Sequence, residues 1–124
     1  MPIDYALDEE KQILRLTTSE PLTMAEVEAI LARQVADGVW GIPILLDARR
    51  AALTTEQARA HFVQVQKMAS QHGPHGLVAV ATRDAENIRT LQAYKFRSQQ
   101  AGLPMQVFRD PDDAERWLLA ASRS

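Results

Sequence analysis

A chain of 124 residues can bury a single hydrophobic core without help, and its lack of cysteine excludes thiol catalysis, cysteine-bound zinc and a disulfide framework. A net charge of −2, spread with no basic block, argues against a nucleic-acid partner, because phosphate recognition needs a positive face. No apolar run approaches the ~20 residues of a membrane span, and the acidic opening "MPIDYALDEEKQ" lacks the basic and apolar parts of a secretory leader, so a bacterial-type cytoplasmic protein with no membrane span is expected.

Ile3, Tyr5 and Leu7 alternate with polar residues, "DEEK" at 8–11 makes a polar turn, and Ile13, Leu14 and Leu16 follow. This period of two predicts a half-buried hairpin. "TMAE" at 23–26 has capping-box spacing, Thr23 to Glu26, and opens a helix whose stripe is Met24, Val27, Ile30, Leu31 and Val35. Asp37-Gly38 ends it, with Gly38 suited to the left-handed cap. Trp40 is expected to cover one end of the core. Pro43 cannot donate to a ladder, so the next strand begins after it and runs Ile44 to Asp47, apolar enough for burial on both faces.

A second helix is expected from Thr54 or Thr55, with Thr54 to Gln57 at capping-box spacing. Its stripe is Ala58, Phe62, Val65, Met68 and Ala69, with His61 on the edge. "HGPHG" at 72–76 stops it. "LVAVAT" at 77–82 reads as a second buried strand, and Asp84 caps a third helix with the stripe Ile88, Leu91, Tyr94, Ser98 and Ala101. Phe96 lies roughly opposite that stripe at about 100° per residue, where it would either contact a protein partner or a second subunit or, with the helix rolled, join the core. "GLP" at 102–104 breaks the helix, and "MQVF" at 105–108 is the last strand. "DPDD" at 110–113 opens the last helix, with Asp110 as cap and Ala114, Trp117, Leu118 and Ala121 inward.

The order ββαβαβαβα predicts a single α/β domain over 1–124, with a mixed, largely parallel sheet of four or five strands and packed helices. Ligands of such sheets gather beyond the carboxyl ends of the parallel strands. Three segments, "LLDARR", "ATRDAE" and "VFRDPDD", leave those ends. Asp47, Arg49, Arg50, Thr54, Thr55, Arg83 and Asp84 are therefore expected to form a polar rim for an anion or a protein partner, although Asp84 and Asp110 are already explained as helix caps. His72 and His75 flank a Gly-Pro turn and are expected to be exposed, with no third ligand for a metal. His61 has no serine, threonine or carboxylate placed to make it a catalytic base. Glycine-rich phosphate loops and nucleophile elbows are absent from the sequence, so no catalytic residue and no cofactor is expected.

The hairpin, "ILLDARRAALTTEQA", "VAVATRDAEN" and the closing "MQVFRDPDDAERWL" together resemble the SpoIIAA-like proteins of the STAS-like fold group, which is related to CRAL-TRIO lipid-carrier domains. The resemblance implies a non-catalytic regulatory module that binds a regulator or kinase-like protein, with a homodimer as a further expectation. It puts the phospho-switch at Thr54 or Thr55. This chain departs from the family's Asp-Ser-Ser-Gly pattern there, reading Leu53-Thr54-Thr55-Glu56. The CRAL-TRIO kinship implies an alternative, a small carrier of a lipid or other apolar ligand. Binding of a phosphate compound at the rim is a third expectation.

Overall fold

The computed structural model describes residues 3–19, 23–50, 55–100 and 105–122, without the side chains of residues 55–58, 94, 96 and 100. Among these residues five strands and four helices follow the expected order: β1 (Ile3–Asp8), β2 (Ile13–Thr18), α1 (Met24–Ala36), β3 (Ile44–Asp47), α2 (Thr55–His72), β4 (Val78–Ala81), α3 (Ala85–Gln100), β5 (Met105–Phe108) and α4 (Pro111–Ser122). The sheet order is β1-β2-β3-β4-β5. β1 and β2 pair antiparallel, and the remaining neighbours are parallel. Among the described residues no helix is long and apolar enough to cross a membrane.

Local chemistry starts the helices. Thr23 accepts from the Glu26 amide at 3.2 Å, and the Glu26 carboxylate accepts from the Thr23 amide at 3.0 Å, a reciprocal cap on α1. Asp84 accepts from the amides of Glu86 and Asn87 at 2.8 and 3.0 Å, and Asp110 accepts from that of Asp112 at 2.8 Å. Gly38 ends α1 at φ +71, a left-handed conformation that favours glycine.

Alternation along the strands gives the sheet two faces of different character. On one, Ile13, Leu45 and Ala79 pack against Ala114 and Leu118 of α4, and all five are buried. The same helix is tied to the hairpin by charge. Arg15 donates to Asp8 at 3.0 Å and to Glu115, and Lys11 donates to Glu115 at 3.1 Å. These bonds hold the carboxyls of Asp8 and Glu115 below the usual range, chiefly through the Lys11 amide at Asp8 and the Arg15 guanidinium at Glu115.

The other face carries α1, α2 and α3. Ile3, Leu14, Leu16, Val39 and Ile44 form its buried floor under α1, with Tyr5 and Ile30 alongside. Arg33 lies 3.8 Å from the Tyr5 ring centre, and the Tyr5 hydroxyl donates to Asp37 at 2.9 Å. Burial, reinforced by Asp37, pushes the Tyr5 pKa up to about 12. Leu91 of α3 packs with Ala48 and Val80. α2 behaves differently. Phe62, Val65, Met68 and Ala69 pack on Val27, Leu31 and Trp40, a cluster that contains no strand residue.

Three expectations need correction. Met24 is exposed rather than in the α1 stripe, because it opens the helix beyond the residues that face it; Gln34, fully buried, sits near the other end. Leu7 is exposed near the end of β1, past the side chains that cover Ile3 and Tyr5. In β3, burial on both faces holds for Ile44 and Leu45, whereas Leu46 and Asp47 are only half-buried. Thr54, the Ala58 side chain, Ala101 and the "GLP" break at 102–104 lie outside the described residues.

Candidate functional site

The three parallel strand ends share one edge, because Asp47, Ala81 and Phe108 are in register. Arg49, Arg83 and Arg109 leave the sheet just beyond them, along one border, and all three are exposed. Asp47 is engaged by its neighbour: Arg49 donates to it from Nε at 2.9 Å, from a terminal nitrogen at 2.8 Å and from its backbone amide at 3.2 Å. The Arg49 guanidinium holds the Asp47 carboxyl below its usual range, and Asp110 and Asp112 also act on Arg49. One arginine of the expected anion rim is thus neutralised internally, and Asp84 is used as a cap. Arg50 is exposed, and its charge also favours the ionised Asp47 carboxylate.

Asp4, Thr17 and Asp47 are in register across β1, β2 and β3, on the face that carries α4. With Thr18, Ser19, Arg49 and Arg50 they line an open cleft of about 370 Å3. Asp4, Thr17 and Ser19 were not among the expected rim residues. The register brings them there through an antiparallel partner, which the rule of parallel strand ends does not cover. Thr55 begins α2, but its side chain, Thr54 and the Phe96 side chain lie outside the described residues, and so do the phospho-switch and the Phe96 contact.

At the opposite end of the strands is a buried polar cluster. His75 is only 6 % exposed, against the expectation of an exposed loop histidine, while His72 is exposed. The cause is the loop's close packing. Gly76 donates to the Trp40 carbonyl at 3.1 Å, and a Cβ at Gly76 would lie 2.3 Å from the Ile42 carbonyl oxygen. His75 Nδ1 lies 2.9 Å from the Gly76 carbonyl oxygen, and Nε2 lies 3.0 Å from the Gln34 side-chain amide. A neutral ring fits both contacts when Nδ1–H donates to the carbonyl and the amide turns its NH2 toward Nε2. Trp40 meets the His75 ring edge-on at 4.6 Å and donates from Nε1 to the Gly73 carbonyl at 2.9 Å. Burial lowers the His75 pKa, opposed by the Gly76 carbonyl. Gln34 and His75 are 41 positions apart; the only sequence signal was a glutamine at helical spacing from Val27 and Leu31.

On the sheet face beneath α1, α2 and α3, burial is uneven among the described residues. Leu46 lies in register between Leu16 and Val80, both buried, yet is itself half-buried, as is Val78 beside Ile44. His61 stands at the edge of the α2 stripe. At about 100° per residue it lies about 50° from the centre of the inward stripe of α2, whereas Val63 lies about 150° away. Val63 is exposed to the outside as expected, but His61 is exposed as well. Enough protein surrounds His61 for burial to push its pKa down to about 4, with His75 adding to the shift. Among the described residues no group of three or more His, Asp or Glu side chains could hold a metal ion.

No protein-family model and no curated protein matches the chain. Among solved structures, it is similar to an uncharacterized protein of the DUF3478 family, with a SpoIIAA-like fold, from Shewanella loihica PV-4. The TM-score is 0.63 at 18% identity, over 94% of this chain and 93% of that one. The chain therefore has the SpoIIAA-like fold that its sequence resembles.

Proposed function

We propose that the protein is a non-catalytic binding module that holds a small apolar ligand in a hollow between its helical layer and the sheet. The observation that carries this is Leu46, only half-buried in the middle of the sheet between two buried neighbours. One helix, α4, suffices to bury Leu45 and Ala79 on the other face. On this face Leu46 and Val78 are only half-buried, and the described apolar stripe of α2 rests on α1 and Trp40. Protein interiors are ordinarily close-packed, so unfilled apolar space beside a central strand suits an apolar occupant. The absence of enzymatic activity is part of the same proposal: Asp47 is held by Arg49, and His61 has no hydroxyl or carboxylate partner among the described residues.

The test is titration of the full chain with N-phenyl-1-naphthylamine, a neutral apolar fluorophore. Saturable one-to-one binding is expected, and Leu46→Trp, which fills the hollow, should abolish it. Non-saturable binding, or binding indifferent to Leu46→Trp, would overturn the reading.

The cleft at the strand ends favours a second reading, a regulatory protein-interaction module of the SpoIIAA type. Its supporting observation is Arg50, exposed on the rim of that cleft, where its charge acts on Asp47. Pulldown from the native host with wild type and Arg50→Glu tests it: a kinase-like or regulator partner lost in the variant supports it, and recovery of the protein alone counts against it. Light scattering at micromolar concentration tests the homodimer.

A further inference from the structure

We propose that β1 is a docking edge for a second copy of this chain: two β1 strands pair antiparallel about a twofold axis at Tyr5 and join the two sheets into one. This supplies a surface for the homodimer and is independent of the apolar-ligand reading, since either can fail alone.

The sheet leaves this edge open. β1 is a terminal strand of the sheet, and among the described elements only β2 comes within 8 Å of it, Cα to Cα. An antiparallel neighbour uses alternate backbone groups of a strand, so the remaining N–H and C=O groups of β1 point away from β2. β5, at the other edge, is four residues long and has α3 and α4 within the same distance. β1 has six residues and pairs with β2 along all of them without a bulge. It also lacks the proline or lysine that commonly blunts an edge. Leu7, near its end, is 38 % exposed.

The charges of β1 fit a second β1 in one register. A twofold axis between antiparallel edge strands stands perpendicular to the sheet and passes through one residue, so that matching faces of the two sheets run on. With the axis at Tyr5, Ile3 of one copy faces Leu7 of the other, Asp4 faces Ala6, and the two Tyr5 residues meet. Moving the axis to Asp4 sets Asp4 against itself, and moving it to Ala6 sets Asp4 against Asp8; like charges directly opposite destabilise a pair. Moving it to Leu7 leaves only Ala6 to Asp8 paired. The Tyr5 axis keeps the acids apart, and it brings an apolar residue beside the exposed Leu7.

The experiment is sedimentation velocity of the full chain from micromolar to near-millimolar concentration. A concentration-dependent monomer–dimer equilibrium is expected, and Leu7→Lys should abolish it. Ala6→Lys sets a lysine opposite Asp4 at two symmetric points, and Ala6→Asp sets an aspartate there. At low salt the first should tighten the dimer about threefold or more and the second weaken it by as much, and high salt should shrink both effects. Within one copy Ala6 is exposed and lies opposite Arg15, so neither change reaches the core; urea midpoints check that each variant is folded. A monomer at every concentration, or a dimer indifferent to Leu7→Lys, would overturn the docking edge. Weakening by both Ala6 variants would overturn the axis at Tyr5, because an axis at Ala6 sets the new charge against itself.

Discussion

Replacing leucine by alanine on each face of the sheet should give two very different costs. Leu118 of α4 is 0 % exposed and sits among Ile13, Leu45, Ala79 and Ala114. Leu118→Ala removes three carbons, about 2.4 kcal/mol of transfer free energy at ~0.8 kcal/mol per buried methylene. The cavity left in a close-packed cluster raises the loss to about 3–5 kcal/mol. Leu46 is only half-buried, and the proposed hollow lies beside it. Its transfer loss is reduced and little new cavity is created, so Leu46→Ala should cost about 1–1.5 kcal/mol. Urea denaturation reads the difference as a midpoint shift at constant slope; at roughly 1.5 kcal/mol per molar, Leu118→Ala should lose about 2 M or more and Leu46→Ala less than about 1 M. Enlargement reverses the contrast. Leu46→Phe should be neutral or stabilising, whereas Ala79→Leu, under α4, should cost about 1–3 kcal/mol or more. Equal costs for the two alanine variants would refute the proposed hollow.

Acid should weaken the fold through His75. Its folded pKa is depressed, so the unfolded chain takes up the proton first; this stability is complete above about pH 6.5 and is lost as pH falls toward the folded value, at no more than ~1.4 kcal/mol per pH unit. Denaturation at pH 7.5 and 5.5 should show the loss, and His75→Gln should reduce it; His61 acts with the same sign, so a residual slope should disappear only in the double variant. Gly76→Ala places a Cβ 2.3 Å from the Ile42 carbonyl oxygen, and the backbone shift it forces should cost about 1–3 kcal/mol in the same assay. Gly41→Ala, with open space at its Cβ, should be nearly neutral. Glu115→Gln breaks the link from α4 to Lys11 and Arg15 and should cost about 0.5–1 kcal/mol, less in high salt.

The parts of the molecule legible in the sequence are those set by neighbours along the chain. Thr23 with Glu26, Asp84 and Asp110 cap helices through bonds spanning two or three residues, and the strand runs lie where alternation or apolar continuity put them. The strand-end border follows from parallel pairing, so Arg49, Arg83 and Arg109 could be placed together before any coordinates. Long-range pairs were not legible. Arg15 meets Glu115 and His75 meets Gln34 only after the sheet has formed, and neither residue type announces its partner. The cleft gained Asp4 and Thr17 for the same reason. How completely Leu46 is covered was not legible, because periodicity records which side of an element is apolar, not how far a helix stands from the sheet. His61 illustrates this: its place at the edge of a stripe was clear, and its accessibility depends on what fails to pack against it.

Methyl-labelled protein with 1-octanol offers a direct view of the hollow. Intermolecular nuclear Overhauser contacts from the alkyl protons should reach the methyls of Leu46 and Val78, beneath the three-helix layer, and spare Leu45 and Leu118 beneath α4. Contacts to Leu45 and Leu118 instead, or none to any interior methyl at saturating ligand, would mean that the helical layer encloses no binding space.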